Sequence, residues 1–175
     1  WLPRLIVFLF MLAVGMSIGI KNGEIFSKSF HKSQVKVLLG AGAVTIVTYF
    51  MYPSRWVFFG TLHCIFLSRY IVSFFNPFPR TSLILFFGLN IPLIFGFSYP
   101  WFKLNHQSMD YIPLLPWASY ALLGVFISKT KLINFGTKLS TNPIIHFSSK
   151  NSFWIYLIHQ PLLFSLAFLV HQITR

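Results

Sequence analysis

Ionisable side chains lie inside long apolar stretches of this sequence, where each one is costly to keep. His63 and Arg69 fall in one stretch, and His159 falls in another. A neutral imidazole can accept a proton there, which is the task of a general base acting on an amine or a hydroxyl. The alternative for His63 is a hydrogen bond that packs two helices together, and the residues alone leave both interpretations open.

Arg69 also has two interpretations. Its long aliphatic side chain could carry the guanidinium to the lipid phosphates at the cytoplasmic surface of a membrane, and this structural role is the favoured one. The other role is to hold an anionic ligand. At 100° per residue, His63 and Arg69 lie about 120° apart around a helix, so they need not share a cavity.

Asp110 is one of two acidic residues, the other being Glu24. It opens a segment with Pro113 and Pro116, which restrict the first turn of the helix that follows. A carboxylate at this point can cap a helix N-terminus, orient a histidine or bind a cationic amine. With two acids and the single Cys64, we do not expect a paired-carboxylate glycosidase site, a carboxylate-rich metal cage or a disulfide framework. The sequence therefore predicts no metal site.

A further set of polar residues lies around Pro161 in the last apolar stretch. Pro161 has no N–H to donate to the carbonyl of Leu157, so we expect a kink with unpaired backbone groups. Tyr156, His159 and Gln160 form one polar flank beside it, because residues three and four apart share a helix face. They could border a ligand passage or hydrogen-bond to neighbouring helices, and both interpretations stay open.

These side chains have to be positioned by helices within a membrane. The 175 residues are 55% hydrophobic and 9% charged, with a mean hydropathy of +0.69, whereas soluble domains carry about 25% charged residues. We predict an all-α integral membrane helical bundle that forms a single domain over residues 1–175. Six apolar runs of about 16 to 21 residues are long enough for transmembrane helices. They cover residues 5–20, 35–52, 56–75, 81–99, 111–128 and 153–173.

The distribution of basic residues predicts the orientation. The 14 Lys and Arg against 2 acids give a net charge of +12, and in so apolar a chain we attribute the excess to cytoplasmic loops rather than to nucleic-acid binding. One side carries Lys21, Lys28, Lys32, Lys36, Arg80, Lys129, Lys131, Lys138 and Lys150, and the other carries Arg4, Arg55, Lys103 and Arg175. The richer side should be cytoplasmic, which indicates a multi-pass protein of the cell inner membrane in contact with the lipid bilayer.

Gly15 and Gly19 form a G-x-x-x-G pattern in the first apolar run. This pattern favours close packing within one bundle over dimerisation. A homo-oligomer is nevertheless compatible with the sequence.

Four blocks of this sequence resemble a known membrane family. Residues 110–117 read DYIPLLPW and are followed by Leu123-Gly124. They are similar to the D-Y-x-P-L-L-P-W…L-G pattern of the prokaryotic family named for the heparan-alpha-glucosaminide N-acetyltransferase catalytic domain. Residues 59–63 (FGTLH) resemble its F-G-I-L-H, and residues 151–161 (NSFWIYLIHQP) resemble its H-S-L-x-I-Y-L-x-H-Q-P. Residues 8–17 resemble an early family helix, and the blocks occur in the expected order.

The resemblance implies a polytopic membrane acyltransferase. It would take an acetyl group from acetyl-CoA on the cytoplasmic side and deliver it to a glycan or amino-sugar acceptor beyond the membrane. The family normally has a further helix ahead of residue 1, and if its principal catalytic histidine lies there, this chain alone is inactive. Residues 150–152 (KNS) also depart from the family's G-R-H-S.

The resemblance also suggests roles for individual residues. His63, Asp110, His159 and Gln160 occupy motif positions that would line the working cavity. We expect His63 to act as a base and Asp110 to orient it or the acceptor. The residues expected to bind substrate or cofactor are His159, Gln160, Tyr156, Arg69, Lys129 and Lys131. The two lysines would attract the CoA phosphates, or they would simply anchor anionic lipid.

Two other functions fit the same residues. One is a non-enzymatic transporter or channel for small molecules or lipids, in which the buried polar groups form a permeation path. The other is a truncated, structural remnant of the enzyme. Thioester turnover would distinguish the acyltransferase from both of these.

Overall fold

The computed structural model describes residues 2–21, 26–100, 107–130, 151 and 158. It contains five helices over these residues: α1 Leu2–Gly19, α2 Lys28–Met51, α3 Thr61–Phe75, α4 Pro79–Ile94 and α5 Leu114–Ser128. Residues 1–132 and 133–175 form two compact units, and the five helices belong to the first. The all-α prediction is confirmed for the described part of the chain. The sixth predicted helix, 153–173, lies outside the described residues, and the single domain stays a prediction.

The central helix of the first unit is α5. It packs against α1, α3 and α4, while α2 packs mainly against α3. The best-buried side chains come from these contacts and are mostly apolar. They include Met11, Cys64, Val72, Ala121, Leu122 and Val125.

Glycines set the close spacing of α1 and α5. A Cβ on Gly15 would overlap the backbone carbonyl of Ala121, and a Cβ on Gly124 would overlap the backbone of α1. A Cβ on Gly19 would overlap the side chain of Ser128. Because residues without a side chain let two helix backbones approach closely, α1 and α5 touch through their main chains. The prediction that the G-x-x-x-G packs within the bundle is confirmed.

The N-terminal part of α2 extends beyond its apolar run. The run predicts a helix from residue 35, but α2 begins at Lys28. The hydroxyl oxygen of Ser27 accepts the N–H of Phe30 at 3.2 Å, which is the bond of a serine N-cap. The basic segment before the apolar run is therefore helical as well.

Three other helices, α3, α4 and α5, are shorter than their apolar runs, and α5 begins at Leu114 instead of 111. Residues 56–60 precede α3 as a loop, and α4 ends at Ile94 instead of 99. Pro92 lies near that end, and Gly96 has φ of +82°, a left-handed conformation that glycine adopts readily. An apolar run marks burial or contact with lipid, and it does not by itself distinguish a helix from an apolar loop.

Of the described helices, α2 is the one that is long and apolar enough to cross a membrane, by length and composition. The other four are apolar but shorter. At 1.5 Å per residue, the 15 or 16 residues of α3, α4 and α5 measure about 22 to 24 Å, against a hydrocarbon core of about 30 Å. Six transmembrane helices are therefore not confirmed.

The glycine contacts predict which helix positions tolerate a methyl group. Gly15→Ala and Gly124→Ala should each destabilise the protein by about 1 to 3 kcal/mol, because the new Cβ meets backbone atoms of the facing helix. Gly42→Ala and Gly88→Ala are the matched controls, since a Cβ there meets nothing within 4 Å. They should be neutral or stabilising by up to about 1 kcal/mol. Thermal unfolding in detergent measures all four, and equal effects at both pairs would contradict the packing.

Candidate functional site

The first turn of α3 is held by acceptors that do not come from its own N-cap residue. That residue is Gly60, which has no side chain. The N–H of Thr61 donates to Asp110 Oδ2 at 2.9 Å, and the Thr61 hydroxyl lies 3.1 and 3.0 Å from the two carboxylate oxygens. The N–H of Gly60 donates to His63 Nδ1 at 3.3 Å. The two residues expected to be catalytic therefore accept hydrogen bonds from consecutive backbone N–H groups.

Asp110 thus caps a different helix from the one that follows it. The sequence predicts a cap in this segment, and the structure places the carboxylate at α3, 49 residues away along the chain. The following helix, α5, has Pro113 at its N-cap position and no side-chain cap. Proline suits the start of a helix because its missing N–H is one that the helix cannot satisfy. A negative charge at the N-terminus of α3 is also favourable with respect to the helix dipole.

Gly60 leaves room for this carboxylate. A Cβ on Gly60 would lie 2.5 Å from Asp110 Oδ2 and 2.7 Å from Val57 Cγ1. The backbone at Gly60 has φ of −108°, which any residue adopts. The glycine is therefore required by the space that Asp110 occupies and not by the backbone conformation.

The hydrogen bonds of His63 assign its tautomer. Nδ1 accepts from the Gly60 N–H, so the proton of the neutral ring lies on Nε2. Nε2 is 3.4 Å from the Thr45 hydroxyl oxygen, and that hydroxyl donates its own hydrogen to the Val57 carbonyl at 2.8 Å. Nε2–H can therefore donate to Thr45. His63 links α3 to α2, which matches the packing interpretation, and its role as a base stays a prediction.

Backbone hydrogen bonds hold the loops around these side chains. The N–H of Met109 donates to the Arg55 carbonyl at 3.0 Å, and the N–H of Ile112 donates to the Phe59 carbonyl at 3.3 Å. These bonds join the loop before α5 to the loop before α3. They fix the direction from which Asp110 approaches α3.

The loop before α3 is also fastened to α2. Thr48 Oγ1 accepts the N–H of Val57 at 3.0 Å, and the Thr45 hydroxyl donates to its carbonyl at 2.8 Å. Val57 itself is buried. Two threonine side chains of α2 therefore satisfy both backbone groups of one residue in this loop.

A cleft of about 1160 Å³ opens beside Asp110. Its walls come from the N-terminal half of α1, the loop before α5 and the first turns of α5. The lining residues are Arg4, Leu5, Val7, Phe8, Met109, Asp110, Tyr111, Ile112, Pro113, Pro116, Trp117 and Tyr120. Six of these twelve residues belong to the DYIPLLPW block at 110–117, so this block forms half of the cleft wall.

Aromatic side chains organise the cleft wall. The rings of Phe8 and Tyr120 meet edge to face with centroids 5.0 Å apart, and Trp117 and Tyr120 lie 5.6 Å apart. Arg4 and Asp110 supply charge of opposite sign to an otherwise largely apolar surface. An apolar concave surface with a few polar groups is the usual form of a small-molecule site.

The other expected site residues lie elsewhere or outside the described part of the chain. The guanidinium of Arg69 donates to the Ser33 hydroxyl at 2.7 Å and stands 5.6 Å from the centroid of the Phe30 ring, so it joins α3 to α2. Lys129 is exposed and is the C-cap residue of α5. The remaining four, Tyr156, Lys131, His159 and Gln160, are outside the described residues.

Some residues of this site were not predicted from the sequence. Thr45 carries no local signal, because a threonine in an apolar run is common and its partners are distant in sequence. Thr61 stands where the family block has isoleucine, and that departure was the one signal for it. Arg4, Phe8 and Tyr120 enter the site only because α1 packs against α5. Among the described residues, no group of three or more His, Cys, Asp or Glu could hold a metal ion.

A double-mutant cycle tests the cap on α3. Asp110→Ala should cost about 1 to 3 kcal/mol, because Thr61 loses the acceptor for its N–H and its hydroxyl. Thr61→Val keeps the side-chain shape and removes the hydroxyl. The two changes should be coupled by at least about 0.5 kcal/mol in chemical unfolding. Asp110→Asn, which retains an acceptor, is the control, and it should lose less stability than Asp110→Ala. If the effects of the two single substitutions on the free energy of unfolding were additive, the contact would be excluded.

The comparison with protein families bears on this same region. The family model described as heparan-alpha-glucosaminide N-acetyltransferase, catalytic, matches residues 1–161 of the 175. Neither a curated protein nor a solved structure gives a match. The matched range contains both blocks that meet at the start of α3, residues 59–63 and 110–117. The chain therefore belongs to the heparan-alpha-glucosaminide N-acetyltransferase catalytic-domain family.

Proposed function

We propose that this protein is an inner-membrane acetyltransferase that transfers the acetyl group of acetyl-CoA to an amine or hydroxyl of a glycan or amino sugar. The observation that carries the proposal is the cleft. Half of its lining residues come from the family block at 110–117, and Asp110 of that block lies in its wall. The family match does not favour the alternative of a transporter or channel.

The cleft suits an amino-sugar acceptor. Such a molecule has apolar C–H faces, several hydroxyls and a cationic or neutral amine. Trp117, Tyr111 and Tyr120 combine ring surfaces with hydrogen-bonding groups. The Asp110 carboxylate can bind an ammonium group or a hydroxyl while it still accepts from Thr61, because an ionised carboxylate has about four lone-pair positions.

The donor would approach from the opposite side of the membrane. We propose this orientation because the excess of basic residues predicts that Lys129 and Lys131 are cytoplasmic and that Arg4 and Asp110 are on the outer side. In this proposal, the two lysines attract the CoA phosphates. From the family motif, we also propose that His159, Gln160 and Tyr156 bind the pantetheine arm.

The chemical step needs a base. The acceptor nitrogen or oxygen attacks the thioester carbonyl, the C–S bond breaks, and CoA leaves as the thiol or thiolate while the acceptor loses a proton. His63 is the candidate for accepting that proton. It is not among the residues that line the cleft, and it adjoins Asp110 through the first turn of α3. Its Nδ1 is engaged by Gly60 in the structure, so the ring has to give up this hydrogen bond before Nδ1 can take a proton. Asp110, which binds the next N–H of the same turn, would position the acceptor.

Substitution of His63 separates catalysis from helix capping. His63→Gln keeps an acceptor at the third helix position, where glutamine commonly caps the N–H of the N-cap residue, but glutamine cannot act as a base. We expect His63→Gln to fold normally and to lose at least about 100-fold in kcat, as removal of a general base does. The assay follows thiol release from acetyl-CoA with glucosamine as acceptor, and the control is His31→Gln, which makes the same change at an exposed histidine of α2. Full activity of His63→Gln with loss in His63→Ala would show that His63 only positions the turn.

The cleft residues should affect the acceptor and not the donor. Trp117→Ala should raise KM for glucosamine about tenfold or more, because the acceptor loses an aromatic surface, and KM for acetyl-CoA should be unchanged. Phe95→Ala is the matched control, since Phe95 is 84% exposed and does not line the cleft. An equal rise of both KM values would contradict the separation of the two substrates. Movement of labelled glucosamine into proteoliposomes without thioester loss would favour a transporter.

A further inference from the structure

One face of α2 is exposed along the length of the helix and changes from basic to apolar. Lys28, Lys32 and Lys36 are exposed and stand at successive intervals of four residues. The same face continues through Leu39, Ala43, Ile46 and Phe50, all of them exposed. At 100° per residue, these seven positions fall within an arc of about 80°. They form a single stripe, which we call the α2 stripe.

The α2 stripe points away from the helix bundle. The buried side of α2 is formed by Phe30, Gln34, Val37, Gly40 and Ala41, which lie on the opposite face. That buried side packs mainly against α3, and the Gln34 side-chain amide donates to the Phe66 carbonyl at 3.2 Å. The stripe is therefore part of the surface that α2 presents to its surroundings.

The stripe is long enough for a phospholipid to lie along it. Its basic part spans about 12 Å, and its apolar part from Lys36 to Phe50 spans about 21 Å. Half of a bilayer contributes about 15 Å of hydrocarbon. Leu39, Ile46 and Phe50 are 68%, 59% and 77% exposed. This is also the described helix that is long and apolar enough to cross a membrane.

The positive charges of the stripe favour an anionic partner. Lysines four residues apart repel each other, and cations in the first turns of a helix oppose its dipole. The chain has two acids, of which Asp110 is engaged at α3. Glu24 alone cannot neutralise three lysines. A phosphate group that lies against the stripe offsets both the repulsion between the lysines and their unfavourable interaction with the helix dipole.

We propose that the α2 stripe binds an anionic glycerophospholipid. Lys28, Lys32 and Lys36 hold the phosphate of the headgroup, and the acyl chains lie along Leu39, Ile46 and Phe50. This site is separate from the acetyl-transfer cleft and does not depend on the proposed activity. It predicts that the protein selects anionic over zwitterionic lipid at one helix face.

Native mass spectrometry of the full chain measures this selectivity directly. The protein is purified in detergent and supplied with an equal mixture of phosphatidylglycerol and phosphatidylcholine. The unaltered chain should retain phosphatidylglycerol preferentially, and Lys28→Gln/Lys32→Gln/Lys36→Gln should lose the preference. The expected loss is about fivefold for each lysine removed. Lys28→Arg/Lys32→Arg/Lys36→Arg keeps the charge and should keep the preference.

A matched control changes the same amount of charge elsewhere. Lys21→Gln/Arg55→Gln/Arg80→Gln removes three exposed cations outside the stripe and should leave the preference intact. If this control lost the preference as fully as the stripe variant, net charge would account for the effect and the site would be excluded. Thermal unfolding of both variants in lipid-free detergent confirms that each is folded.

Two further outcomes would overturn the proposal. Displacement of the lipid by inorganic phosphate or free CoA at millimolar concentration would identify a soluble phosphate compound as the ligand. A dimer that retains no lipid, and that Phe50→Ala converts to a monomer, would identify a second copy of the chain as the partner of the stripe. The lipid site is supported if a monomer retains phosphatidylglycerol and if this retention is lost only in the variant that lacks the three lysines.

Discussion

The Asp110 carboxylate at the start of α3 is the interaction on which the rest of the site depends. Gly60 and Thr61 are buried, and an unpaired buried N–H costs about 1 to 3 kcal/mol. Because Gly60 has no side chain, α3 takes its acceptors from His63 and from a loop 49 residues away. The loop before α5 is thereby held against α3, and two backbone bonds extend the contact to Arg55 and Phe59. The Asp110 carboxylate therefore both caps the N-terminus of α3 and forms part of the cleft wall.

This arrangement has a consequence for binding. A carboxylate that is already held by Thr61 needs little reorganisation when a ligand arrives, and preorganised polar groups stabilise developing charge most effectively. The position of α1, which forms another part of the wall, is also restrained, because Gly15 and Gly124 let the backbones of α1 and α5 touch. Phe8 and Tyr120 meet across that contact. The walls of the cleft are therefore set by the packing of α1 against α5 and by the cap on α3.

The apolar runs located the five described helices but not their ends. The cap at Ser27 makes α2 begin earlier than its apolar run. Residues 56–60 form a loop instead of the start of α3, because Thr45 and Thr48 hydrogen-bond to the backbone of Val57. A cap near Asp110 was predictable from its residue type, but its partner was not, since nothing local connects residues 61 and 110. The resemblance pointed to residues 110–117, which form half of the cleft wall. The contribution of α1 to the cleft required knowledge of which helix packs against it.

The two helices α2 and α3 show opposite solutions to the charge of a helix N-terminus. At α3 the partial positive charge meets the carboxylate of Asp110, and the balance is achieved within the chain. At α2 the same partial charge meets exposed lysines, which increase the positive potential. With one acid already engaged and a net charge of +12, the chain lacks the anions to compensate. The second helix end therefore takes its counter-charge from outside the protein, and in a membrane the nearest dense source is the phosphate layer that borders the apolar part of the same helix face.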